Sequence, residues 1–154
     1  MKLTTKTRYG MRAVVDLVLR YNQGPTPVSL IAKKENLSTT YLEQLLNKLK
    51  KNGLVKSVRG ARGGYVLSRS PDKISVYEVV NVLEGDIAVS CCVSERRTKK
   101  RCDRIDKCLT NILWRKMSNN LKETLKGISL RDLCETSGVL KDSDKLSHRY
   151  EYAI

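Results

Sequence analysis

The sequence contains no phenylalanine, one tryptophan and one histidine in 154 residues. His148 lies in a polar C-terminal stretch, so neither a Cys-His nor a Ser-His-Asp catalytic set can be assembled, and no activated nucleophile or acid–base pair is visible. An enzyme is therefore the least favoured reading. Long apolar runs are also missing: nothing approaches the ~20 consecutive apolar residues of a membrane span. Met1-Lys2-Leu3-Thr4 leads into periodic sequence rather than into a signal peptide. Together these absences predict a cytoplasmic protein with no membrane partner. Acidic residues are scarce in one half only: residues 1–70 hold 14 Lys and Arg against 3 Asp and Glu, whereas residues 71–154 hold 16 against 13. Most of the formal net charge of +14 thus lies in the first half. Such a concentration suits a polyanion, because neutralising phosphates releases their condensed counterions.

What is present is strong helical periodicity. The length allows one compact domain with an appendage, able to bury a core without disulfides; no internal repeat or low-complexity tract interrupts it. Ala13, Val14, Leu17, Val18 and Tyr21 predict a first helix from residue 4 or 5 to about 21, ended by Asn22-Gln23-Gly24-Pro25. A short helix over 29–35, a turn at Asn36-Leu37-Ser38 and a helix over 39–52 follow, with Ser38 as its cap and Leu42, Leu45, Leu46 and Leu49 inward. Two apolar runs, 54–58 and 65–67, flank Arg59-Gly60-Ala61-Arg62-Gly63-Gly64 and predict a hairpin with a glycine-rich tip. Helix, short helix, turn, helix and hairpin is the order of a winged helix-turn-helix.

Further helices are expected over 76–83, from Asp106 to about 126, and from a capping box at Ser129-Leu130-Arg131-Asp132 to about 136. Residues 86–105, with the basic run Arg96-Arg97-Thr98-Lys99-Lys100-Arg101, read as a loop. On the long helix Leu109, Leu113, Met117, Leu121 and Leu125 recur every fourth residue, a stripe that needs a partner surface. The expected fold is mainly α with a small β wing. Residues 1–84 form the DNA-binding domain, 85–140 the cysteine loop and a dimerisation helix, and 141–154 a polar tail.

In a helix-turn-helix the second helix enters the major groove and its exposed N-terminal residues meet base edges. With the leucines inward, the third helix exposes Thr39, Thr40, Glu43, Gln44, Asn47 and Lys48. Gln44 matches adenine N6 and N7, Glu43 can accept from cytosine N4, and Thr40 and Tyr41 suit phosphates. Any one of these residues alone would be an ordinary polar face. The hairpin is more specific: its glycines permit positive φ and close approach, but turning does not require Arg59 and Arg62, whose guanidinium groups suit the negative potential of a minor groove. The implied partner is double-stranded DNA.

Four of the five cysteines, Cys91, Cys92, Cys102 and Cys108, fall within one short segment. In a reducing compartment this points to metal or redox chemistry rather than structural disulfides. Thiolates bind iron–sulfur clusters and structural zinc alike, but zinc sites usually show paired CxxC spacing, and the wide gaps here suit a larger cluster. If Asp106 caps the long helix, Cys108 lies in its first turn, where free amides favour a thiolate. A metal-free thiol switch is the alternative. Cys134, between Leu133 and Glu135, reads as a small packed residue.

Met1-Lys2-Leu3-Thr4, Arg8-Tyr9, Tyr41-Leu42-Glu43-Gln44-Leu45, Lys51-Asn52-Gly53-Leu54-Val55 and Val58-Arg59-Gly60-Ala61-Arg62-Gly63-Gly64-Tyr65 closely resemble the Rrf family of bacterial transcription regulators. The resemblance covers residues 1–139. Cys102, Cys108-Leu109-Thr110 and Ile112-Leu113-Trp114-Arg115 are most similar to the family's iron–sulfur regulators. The resemblance implies a homodimer joined through the long helix and operator contacts from Thr40, Tyr41, Glu43, Gln44 and Arg59. It also implies a cluster on Cys92, Cys102 and Cys108, 2Fe-2S first and 4Fe-4S as the alternative. Two features depart from that pattern: the interval from Cys92 to Cys102 is longer, and Asn111 stands where those regulators carry a histidine ligand. A neutral amide is a poor iron ligand, which makes Cys91, an acidic residue, water or a small thiol the candidates for the fourth position. The family also includes cluster-free cysteine-metabolism repressors controlled by a partner protein or by thiol redox state.

Overall fold

The computed structural model describes residues 3–95 and 105–136, except for the side chain of Asp106. Cys102, the basic run at 96–101, His148 and the tail at 141–154 lie outside the described residues. Helix α1 (Thr5–Leu19) packs its Ala13, Val14, Leu17 and Val18 inward. It ends two residues before Tyr21, and Asn22 turns the chain with φ 67°. Helices α2 (Val28–Lys34) and α3 (Thr39–Lys51) follow, separated by Asn36 at φ 52°, a left-handed conformation that asparagine tolerates. The Ser38 hydroxyl accepts from the Tyr41 amide at 3.2 Å and caps α3 as expected. Leu42, Leu46 and Leu49 are fully buried and Leu45 nearly so. Each such burial contributes about 1.5–3 kcal/mol, so this stripe anchors the domain.

Strands β1 (Val55–Val58) and β2 (Gly64–Leu67) pair antiparallel, with Val55 opposite Leu67 and Val58 opposite Gly64. Thr26, just before α2, exchanges two backbone hydrogen bonds with Tyr65 at 3.0 and 2.9 Å, which ties the hairpin to the rest of the fold. A Cβ on Gly64 would run into the Thr26 backbone, so this approach requires glycine.

Helix α4 (Val76–Glu84) starts with a capping box between Ser75 and Glu78 and buries Val76, Val79, Val80 and Leu83. Leu83 packs where a side chain at position 10 would stand, which explains Gly10 inside α1. Helix α5 (Leu109–Lys126) begins later than expected: residues 105–107 form a tight turn, and Cys108 is itself the N-cap. Helix α6 (Leu130–Thr136) opens with the reciprocal bonds between Ser129 and Asp132 that the sequence suggested. It inserts Leu130 and Cys134 into the same core as α1 and α3.

The apolar stripe on α5 is split. Leu121 and Leu125 pack against the core of their own chain, whereas Leu109, Leu113 and Met117 remain exposed and Ile112 joins them. The five-residue stripe expected on one surface therefore reduces to its N-terminal half plus Ile112. Among the described residues, no helix is long and apolar enough to cross a membrane.

Candidate nucleic-acid interface and cysteine site

Thr39, Thr40, Glu43 and Gln44 stand exposed at the start of α3. Tyr41 is half-buried, its ring edge-on to Tyr9 at 6.5 Å, and Arg12 lies over the Tyr9 ring at 5.6 Å. Two residues assigned to the open face have other work. Asn47 Oδ1 accepts from the Tyr65 hydroxyl at 3.1 Å, and Lys48 Nζ donates to the Leu83 carbonyl at 2.9 Å. Asn47 thus joins α3 to the hairpin, and Lys48 joins it to the end of α4. Burial, and then the Glu43 carboxylate, push the Tyr65 phenol above its ordinary pKa, which keeps the hydroxyl a donor to Asn47.

The short helix before α3 is braced by charge. Asp16, buried on α1, pairs with Lys34, and Arg12 pairs with Glu35 at 3.1 Å. At the hairpin tip Arg59 and Arg62 are both exposed. Gly60 takes φ 115°, whereas Gly63 keeps an ordinary φ and is required instead because a Cβ would meet the Val58 carbonyl. The exposed part of α3 and the two arginines fit a groove-reading surface on a cationic domain.

The second site lies at the start of α5. A tight turn at Cys91–Val93 leaves Cys91 exposed and Cys92 half-buried, with Ser90 Oγ 3.4 Å from Cys92 Sγ. The Cys108 thiol sits 3.0 Å from Thr110 Oγ1. That hydroxyl, followed by the Asn111 backbone N–H, holds the thiol below its ordinary range, the physical effect expected at a helix start. Asn111 is buried: its Nδ2 donates to the Cys92 carbonyl at 3.5 Å, and its Oδ1 accepts from Arg115 at 3.2 Å. It thereby brings the Cys92 turn against the helix that Cys108 caps. Among the described residues, no group of three possible metal ligands comes together; Cys102 lies outside them. Cys134 is buried, and burial, then Glu135, push its thiol up.

Sequence reasoning missed how the cysteine turn is held. Ser118, buried on α5, accepts the Val89 amide at 3.1 Å. Lys122 reaches Asp86 at 3.4 Å and Glu95 at 2.8 Å. The legible signal is three polar residues, 111, 118 and 122, spaced by seven and four along one side of the helix.

Comparison with known proteins agrees with this geometry. The Rrf2 model, described as iron-dependent transcriptional regulator, matches residues 3–136. The transcriptional regulator IscR of Xenorhabdus nematophila is 40% identical over 150 residues, covering 94% of this chain and 89% of its own. The structure of CymR, the global cysteine regulator of B. subtilis, aligns with a TM-score of 0.71 at 38% identity, covering 88% of this chain and 98% of that one. T. potens IscR aligns with a TM-score of 0.68 at 36% identity, covering 99% and 95%. The chain belongs to the Rrf2 family of transcriptional regulators, a family of non-enzymatic DNA-binding proteins, and is IscR-like within it.

Proposed function

We propose that the chain is an operator-binding regulator whose affinity for double-stranded DNA is set by an iron–sulfur cluster held through Cys92, Cys102 and Cys108. The observation that carries this reading is Asn111, which ties the Cys92 turn to the helix start capped by Cys108. The donor set fits such a group: Cys108 has a lowered thiol pKa, and Cys92 stands beside its helix. The Asn111 amide is occupied on both sides and serves as a brace rather than a ligand. A bound cluster supplies redox-variable iron at this point. The resemblance of the Cys102 and Cys108 segments to the family's iron–sulfur regulators makes 2Fe-2S the first assignment, with 4Fe-4S as the alternative.

Thr40, Tyr41, Glu43 and Gln44 meet the major groove, and Arg59 and Arg62 the minor groove. Residues 1–84 do the DNA reading, while 85–140 carry the thiols and the dimer helix. Leu109, Ile112, Leu113 and Met117 form an exposed apolar surface on α5 that a second copy covers. A two-fold protein reads a pseudo-palindromic operator. Any signal from the thiol site acts by differential affinity for two states of the dimer. Lys48 on Leu83 O, three residues before Asp86, supports a short route to the recognition helix.

Anaerobic purification followed by iron, sulfide and visible-absorption measurements tests the cofactor. The expected result is a coloured protein with about two irons and two sulfides per monomer, lost in Cys92→Ala, Cys102→Ala and Cys108→Ala. Full cluster content in the Cys102 or Cys108 variant overturns the assignment. The CymR likeness favours a second reading, a cluster-free repressor controlled by a partner protein or thiol redox, for which a colourless protein with intact operator binding is the signature. A wild type that sediments as a monomer while binding DNA tightly overturns the dimer.

A further inference from the structure

The two buried residues of α5 are both polar, Asn111 and Ser118. Helix α5 docks its leucines Leu121 and Leu125 on the core near its C-terminal end. Toward its N-terminal end its buried side chains are hydrophilic, with Trp114 half-buried between them, and they bond the segment from Asp86 to Glu95. Asn111 Nδ2 donates to the Cys92 carbonyl, Ser118 Oγ accepts from the Val89 amide, and Lys122 bridges Asp86 and Glu95. Residues at i, i+7 and i+11 fall on one side of a helix, so these three contacts form a single ladder along about three turns.

Each rung has its orientation fixed. The Ser118 hydroxyl donates to the Trp114 carbonyl at 2.8 Å, which turns its lone pairs toward the Val89 amide. Arg115 holds Asn111 Oδ1 at 3.2 Å, which leaves the amide nitrogen directed at the Cys92 carbonyl. Asp86 accepts from Ser94 Oγ at 2.6 Å and from the Glu95 amide at 2.5 Å, closing the segment on itself at the Lys122 end. A backbone amide, a backbone carbonyl and a carboxylate of one segment are therefore all satisfied by one helix face. None of these bonds involves a thiol.

We infer that Asn111, Ser118 and Lys122 are positioning residues that set the register of the Cys92 turn on α5 before any metal is present, and that Asn111 occupies the histidine's place as a brace. The inference deepens the cluster reading and rests on it for its consequence, that cluster retention depends on this ladder. Preorganisation lowers the cost of assembling a thiolate site and slows its loss.

Two measurements on the full-length protein test it, using Asn111→Ala, Ser118→Ala and Lys122→Gln, with Ser118→Thr as the conservative variant. Thr124→Ala is the control, because Thr124 makes the same bond to the carbonyl four residues back but is exposed, with no hydrogen bond to the 86–95 segment. In the metal-free protein, amide hydrogen exchange over 86–95 is expected to rise about three- to tenfold in the three variants, with rescue in Ser118→Thr and no change in Thr124→Ala. Exchange over 42–49 should stay at the wild-type rate, which separates local loosening from misfolding. In the reconstituted protein, iron loss to a chelator is expected to accelerate while iron and sulfide per monomer at saturation hold. Unchanged exchange over 86–95 in all three variants overturns the ladder. Loss of stoichiometric cluster with altered visible bands in Asn111→Ala overturns the brace and makes Asn111 a ligand. If the wild type takes up no cluster, the reading under Proposed function fails, while exchange still decides the register of the turn.

Discussion

The winged-helix half and the thiol-bearing half of this chain are held together by different forces. Helices α1 to α4 and the hairpin interlock through leucines and valines that are almost fully buried, with Leu42, Leu46, Leu49 and Val79 at zero exposure. The segment carrying the Cys92 turn is pinned to the core at its start by the fully buried Ile87, but beyond that residue it meets α5 through one amide, one hydroxyl and one ammonium. Apolar interdigitation is cooperative and costly to open, whereas a segment held by a few polar bonds opens locally at much lower free energy. On the proposed function, the difference teaches where responsiveness would reside: a reading surface must keep its shape, and a sensing segment must be able to change.

The most damaging way to break the contrast is to give the rigid half a defect. Leu46→Ala, at a site with no exposure on α3, is expected to cost about 2–5 kcal/mol in denaturant unfolding, the sum of lost transfer energy and an unfilled cavity. Ser118→Ala should cost far less global stability while loosening residues 86–95. Equal losses for the two would mean that the halves are held alike.

A second perturbation leaves both frameworks intact and changes only the reading surface. Arg59→Ala is expected to weaken operator binding by about 1–3 kcal/mol, and Glu43→Ala to change base preference more than overall affinity. Both side chains are exposed, so the unfolding midpoint should stay at the wild-type value. Competition binding on a panel of mutated operators, beside a melt of each variant, reads the two effects separately. Unchanged affinity and preference in both would remove the assigned surface.

The same contrast explains what was legible in the sequence. Leucines at spacings of three and four have one stable resolution, so α3, its Ser38 cap and the hairpin were readable to within a residue or two. The thiol site was legible as a cluster of cysteines, but its supports were not. A serine or an asparagine on a helix looks solvated until tertiary packing turns it inward, so the sequence shows Asn111 only as a poor iron ligand in a histidine's place and gives Ser118 no role. Position alone placed Asn47 and Lys48 on the exposed face, where they are, but could not show their bonds to Tyr65 and Leu83, which come from elements distant in the chain. On α5 an unbroken period of four concealed a division of labour, because a helix that docks only one end shows the same pattern as one that docks along its length.

The smallest effect sharpens the comparison by pH. Burial by itself would raise the Asp86 carboxyl, but hydrogen bonds from Ser94 and the Glu95 amide, with the Lys122 ammonium, outweigh it and hold the group below its ordinary value. A depressed carboxyl contributes stability that is present above its unfolded value of about 3.9 and is lost as pH falls through the folded value. Lys122 is shifted the opposite way, raised by Glu95 and then by the Asp86 charge against the opposing effect of burial, so its contribution is present below about 10.5 and disappears as pH rises through the folded value. Among the described residues, Ser94 and Glu95 bond this pair, and the Lys126 ammonium lies close enough to Lys122 to repel it. Between these limits the clamp should be indifferent to pH. Protection of amides 86–95, corrected for intrinsic exchange, is therefore expected to be flat near neutrality and to fall on acidification below about pH 4, ahead of the leucine core at 42–49. Asp86→Asn should remove that acid-side fall. If the core and the segment lose protection together in the wild type, the two halves open as one unit and the contrast between them fails.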